Sequence, residues 1–147
     1  VRAIRILAIL ALAAPALPVT THAADVYAEE CGACHLAYPS RLLSAADWGR
    51  VLDDLAHHYG VDATLDEPAR QTVAQRHGLP LPAASTAPAT LPRITTSRWF
   101  VDEHDDVSVA TFRSASVRSA ANCAACHAGA ARGDVDEDDV RIPGARP

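Results

Sequence analysis

The stretch "EECGACHLAYPS", residues 29–40, sets Cys31 and Cys34 two residues apart with His35 directly behind the second. The arrangement returns in "NCAACHAG", residues 122–129, as Cys123, Cys126 and His127. Both copies fit C-x-x-C-H, the attachment spacing of c-type haem. Two thiols on one helical turn can form thioethers to the two vinyl groups of one porphyrin, and the next side chain then points at the iron as its proximal ligand. Gly and Ala between the cysteines leave room for the macrocycle against the backbone. A redox dithiol would call for a βαβ setting, which is missing around either copy. One structural zinc, or two ordinary disulfides, would use the cysteines but would not require a histidine behind each pair. The reading is therefore two covalent c-type haems, held by Cys31, Cys34, Cys123 and Cys126, with His35 and His127 on the iron.

Outward from the first motif, the chain opens with Arg2 and Arg5, then an apolar run from Ile6 to Val19, then the small residues Thr21 and Ala23. That order reads as a secretory signal peptide over residues 1–23. The run is too short for the roughly 20 residues of a membrane-spanning helix. The expected mature chain begins near Ala24, without a membrane span and exported to the periplasm, where c-type haem is attached. Removing the segment leaves 11 arginines against 18 acidic residues, a formal charge near −7. Nucleic acid is a poor partner for such a chain. With two Trp, two Phe and three Tyr, its own core would be thin; two macrocycles would fill it, against side chains such as Trp48, Leu52, Trp99 and Phe100.

Residues 79–92 carry Pro80, Pro82, Pro88 and Pro92 and no charge, the composition of an extended linker. It separates an N-terminal lobe, residues 24–78, from a C-terminal lobe, residues 93–147, each with one motif. The class is mainly α. In the first lobe Ser44 can cap a helix running to Gly60, whose Trp48, Val51, Leu52 and Leu55 recur on one face. Asp66 can cap a second helix, with Pro68 in its first turn and Gly78 past its end. The second lobe offers short helices around Trp99–Val107 and Val117–His127, then an irregular tail.

A six-coordinate haem needs a second axial ligand, and Met and Lys are absent from the chain. A distal histidine or an open position remain. On a helical wheel His58 borders the apolar face of the first helix, whereas His57 points away from it. His104 would share a helical face with Phe100 and Val107, and one of the carboxylates around it could accept its other ring proton. His77, in a last helical turn, suits the negative end of a helix dipole. His58 and His104 are thus the distal candidates. The acidic run Asp134, Asp136, Glu137, Asp138 and Asp139 reads either as a solvated stretch or as a docking surface for a basic partner.

In order along the chain, "ECGACHLAYP", "LLSAADW", "HYG", "LPRIT", "WFVDEH", "SAANCAACHAGA" and "GDVDEDDVRIP" resemble the bacterial dihaem cytochromes c that accompany the oxygen-binding sphaeroides haem protein and a membrane cytochrome b. The resemblance implies two bis-histidine haems, with His35 and His127 proximal and His58 and His104 distal. It implies a first lobe that varies the class I cytochrome c fold and a smaller, irregular second lobe. Its partners would be redox proteins, such as that oxygen-binding monohaem cytochrome and the membrane cytochrome b. The function it implies is single-electron transfer without enzymatic turnover. A small peroxidase-like haem enzyme, or a haem ligand sensor, would instead keep one iron open.

Overall fold

The computed structural model describes residues 20–79 and 90–144, with side chains from Val26 onward. Most of the expected signal segment and of the proline-rich linker, and the last three residues, lie outside the described residues. Helices α1 (Thr20–Gly32), α2 (Ala45–Asp53) and α3 (Glu67–Arg76) build the first lobe. Helices α4 (Arg98–Glu103) and α5 (Val109–Phe112), with short 3₁₀ turns at Cys123–Ala125, Ala130–Arg132 and Glu137–Asp139, build the second. Among the described residues no helix is long and apolar enough to cross a membrane.

The expected caps form. Ser44 Oγ accepts from Asp47 N at 3.1 Å, and Asp66 Oδ1 from Ala69 N at 2.9 Å, each satisfying an amide that a helix start leaves free. The helix after Ser44 stops at Asp53, short of the expected Gly60. Arg70 from α3 takes the Leu52 carbonyl at 3.3 Å and the Asp53 carboxylate at 2.8 Å. The Leu52 carbonyl is what a longer α2 would use for its next turn. The chain continues as a 3₁₀ turn, Leu55–His57, and reverses between His58 and Val61, with Tyr59 and Gly60 both at positive φ.

Helix α1 packs on α3 around a small core of Tyr27, Leu52, Val73 and Ala74, which Cys31, Ala37 and Leu55 border. Burying these side chains contributes about 1.5 to 3 kcal/mol for each large one. In the second lobe the expected helix over Val117–His127 is absent, and only the 3₁₀ turn at the motif forms. Asn122 caps Val117 O through its side chain at 2.9 Å and holds the loop. The tail is tied back onto the motif, Arg141 N donating to Cys126 O at 2.9 Å beside a bridge between His127 and Val140.

The lobes touch through the 3₁₀ turn Ser40–Leu42 and its neighbours. Arg41 Nη1 donates to Gly133 O at 2.9 Å, and its guanidinium pairs with Asp136 at 3.7 Å.

Candidate metal centres

The first motif spans the end of α1 and the turn after it, so Cys31 is held against the core while Cys34 and His35 are exposed. The second is one tight turn, Cys126 N donating to Cys123 O at 3.1 Å and His127 N to the same carbonyl at 2.8 Å. No disulfide joins any of the four cysteines. Burial, with Glu30 nearby, pushes the Cys31 thiol up to about 11, and burial raises Cys123 and Cys126 as well. Neutral thiols of this kind are unlike the low-pKa thiolates of redox dithiols. Among the described residues no cluster of three or more His, Cys, Asp or Glu could hold a metal ion, so the cysteines do not gather around one zinc.

Across each motif stands a second histidine. The His35 and His58 rings face each other with centroids 6.1 Å apart and planes at 19°; those of His104 and His127 are 6.3 Å apart at 63°. A metal–imidazole bond is about 2 Å and the ligating nitrogen sits about 1 Å from the ring centre, so two imidazoles on opposite sides of one metal ion put their centroids about 6 Å apart. Both pairs have that spacing, and in the sequence each pair lies on its own side of the proline-rich stretch 79–92.

Backbone carbonyls orient three of the four rings. His35 Nδ1 is 2.8 Å from Leu36 O, His104 Nδ1 2.9 Å from Phe100 O, and His127 Nδ1 3.2 Å from Asp136 O. An Nδ1–H that donates to a carbonyl leaves Nε2 with its lone pair free for a metal. The carboxylate expected to orient His104 is not used: α4 ends at Glu103, and the ring of His104 folds back to stack on Phe100 at 4.1 Å. His58 Nδ1 is buried without a partner. Burial, and secondarily His35, lowers its pKa, which keeps the ring neutral and able to ligate. His57 is exposed and bonded to Asp54 at 2.7 Å.

Around the second pair opens a cavity of about 600 Å³, lined by Cys123, Cys126, His104, His127, Trp99 and Phe100, and by Leu42 of the first lobe. Its size suits a bound cofactor, and its two thiols and two free Nε2 atoms are the donors a c-type haem requires. Glu103, Asp106, Asp136, Glu137 and Asp138 also line it.

His77 departs from its expected role. It is buried, stacked on Trp48 at 4.1 Å and edge-on to Tyr27 at 4.9 Å, with neither ring nitrogen bonded. Burial, helped by Arg76, lowers its pKa to about 4, so at neutral pH it carries no charge for the helix dipole. It also covers one face of the Trp48 ring. Tyr38, which pattern reading passed over, packs its ring on His35 at 5.2 Å and reaches the second lobe.

Residues 27–135 match the family model of dihaem cytochrome c. The fold is similar to the crystal structure of a diheme cytochrome c from Shewanella baltica OS155, with a TM-score of 0.70 and 32% identity over 83% of this chain and 94% of that one. It is also similar to two structures of diheme cytochrome c from Rhodobacter sphaeroides, at 40% and 36% identity, each with a TM-score of 0.61 over 74% of this chain and 94% of the other. No curated protein matches the chain at a significant level. The family model spans both motifs, and on that ground, together with the identity to the solved relatives, the chain belongs to the dihaem cytochrome c family and has two c-type haems.

Proposed function

We propose that the protein is a periplasmic electron carrier that passes single electrons between redox partners through two bis-histidine haems. In this reading Cys31 and Cys34 hold one haem through thioethers, with His35 and His58 on its iron. Cys123 and Cys126 hold the other, with His127 and His104 on its iron. Bound haem supplies a one-electron couple. The observation that carries the reading is the spacing of the two imidazole pairs, 6.1 and 6.3 Å between centroids.

The chain's own residues do the rest. Backbone carbonyls hold His35, His104 and His127 with Nε2 free, and Phe100 braces His104 by stacking. Two histidines per iron leave no position for a substrate, and without the Met that raises the potential of His/Met cytochromes both potentials should be low. The expected partners are redox proteins, an oxygen-binding monohaem cytochrome and a membrane cytochrome b among them, and the acids at the second cavity suit a partner with a basic patch.

Electron paramagnetic resonance and near-infrared magnetic circular dichroism of the oxidised holoprotein test this. Two low-spin bis-histidine signals are expected; a high-spin iron at either site would sink the reading. Intact mass should show two added haems.

A further inference from the structure

The two sites differ in what backs their histidines. At the second site each ring has a carbonyl at Nδ1, Phe100 O at 2.9 Å from His104 and Asp136 O at 3.2 Å from His127. At the first site His35 has one, Leu36 O at 2.8 Å, whereas His58 Nδ1 is buried with no partner. A hydrogen bond donated from Nδ1–H leaves the rest of the imidazole more basic, so Nε2 becomes the stronger donor. A stronger donor favours ferric over ferrous iron and lowers the reduction potential.

Charge divides the sites in the same sense. Glu103, Asp106, Asp136, Glu137 and Asp138 line the second cavity, and among the described residues no arginine does. Arg41 offsets Asp136 alone, at 3.7 Å. Carboxylates around an iron stabilise its more positive state, which is again the ferric one. The first site is closer to balance. Glu30 is exposed one residue before Cys31, and the Arg93 guanidinium lies 4.4 Å over the Tyr59 ring, which stands edge-on to His58 at 4.8 Å.

We infer that the first haem has the higher potential and is where a single electron rests, an inference that rests on the bis-histidine carrier function proposed above. Hydrogen bonding at the axial rings and charge at the cavity wall both point to that order. In the loading step a reduced redox protein gives up one electron, the iron between His35 and His58 passes from ferric to ferrous, and no proton moves. The second haem fills only with a second electron and is the stronger reductant of the two. In the one-electron-reduced protein the first haem should hold the electron at least about ten times as often as the second, a difference of about 59 mV.

A redox titration of the full holoprotein followed by NMR tests the order. Haem methyl resonances are assigned to their sites by nuclear Overhauser contacts with the β-protons of Cys31 or Cys123. Those of the first haem should move to their reduced positions at the higher potential. Glu103→Gln combined with Asp106→Asn should raise the potential of the second haem and shrink the occupancy ratio about threefold or more. The potential of the first haem and both low-spin paramagnetic resonance signals should stay in place. In the reduced parent the His58 Nδ1–H should resonate upfield of the other three, since a hydrogen bond to a carbonyl shifts a proton downfield and the haem ring current acts on all four alike. A second haem that titrates at or above the first overturns the inference alone, because two low-spin irons leave the carrier function standing. An unchanged ratio in the double variant, or a His58 Nδ1–H that resonates with the others, also overturns it, for the order would then not come from these residues. A high-spin iron or a missing haem in the parent removes the carrier reading and this inference with it.

Discussion

His57 and His58 are neighbours with opposite surroundings, and the contrast makes a test. His57 gives its ring to Asp54 in solvent, whereas His58 is turned inward, 6.1 Å from His35 and edge-on to Tyr59 at 4.8 Å. Replacing His58 by Ala should open one iron, so that the reduced variant binds carbon monoxide; His57→Ala should stay closed. Carbon monoxide difference spectra decide between them, and binding by His57→Ala alone would reverse the assignment. His77 supplies a second test at this scale. Its pKa is depressed from 6.5 to about 4, so the unfolded chain takes up this proton more readily than the folded one. The stability this histidine contributes is therefore complete above about pH 6.5 and is lost as pH falls toward 4, by at most about 3 kcal/mol. His77→Phe preserves the stack on Trp48 and should flatten that loss, measured as denaturation midpoints between pH 6.5 and 4. An unchanged slope would place the acid sensitivity elsewhere.

Single elements of the second lobe are short, so their caps weigh more than usual. Helix α4 has six residues, and Ser97 Oγ accepts from Phe100 N at 3.1 Å at its start. Phe100 in turn stacks on His104 and offers its carbonyl to the same ring. Ser97→Ala should cost about 1 kcal/mol of stability, and that cost should appear as a lower thermal unfolding midpoint. It should also loosen His104, read as broadening of the second haem's low-spin signal with the first unchanged. Helix α2 makes the converse point. Its early end lets the chain turn at His58–Val61 and brings His58 round to His35, which a helix continued to Gly60 would not do.

Taken whole, the molecule concentrates acid around the mouth of the second site. Asp134 and Asp136 are partly committed, Asp134 accepting from Asp136 N at 3.3 Å and Asp136 pairing with Arg41. Glu137, Asp138 and Asp139 form an exposed 3₁₀ turn beside the cavity. If a basic partner docks there, neutralising these three should slow bimolecular electron transfer at low salt and leave both haem spectra unaltered. The difference should vanish at high salt, because rim charges act chiefly on association rate and the Debye length shrinks to about 3 Å at 1 M. Equal rates for variant and parent at low salt would leave the turn as a solvated face.

What the amino-acid sequence determined by itself was short-ranged or compositional. The two C-x-x-C-H motifs span five residues each, the caps at Ser44 and Asp66 act over three, and the absence of Met and Lys is a property of the whole composition. Those features carried the two haems and the histidine shortlist, while the family resemblance rested on the ordered series of segments from "ECGACHLAYP" to "GDVDEDDVRIP". Only the tertiary structure decided where α2 stops, because Arg70, 18 positions away, takes the Leu52 carbonyl. It decided the neutral, buried state of His77, set by Trp48 and Tyr27 closing over it from other helices. It decided that a carbonyl and not a carboxylate turns His104, and that Tyr38 meets Ala121 across 83 positions. The physical reason is range: a motif or a cap closes within a turn of chain and is written in consecutive residues, whereas burial and cross-lobe hydrogen bonds depend on partners that only the folded chain brings within reach.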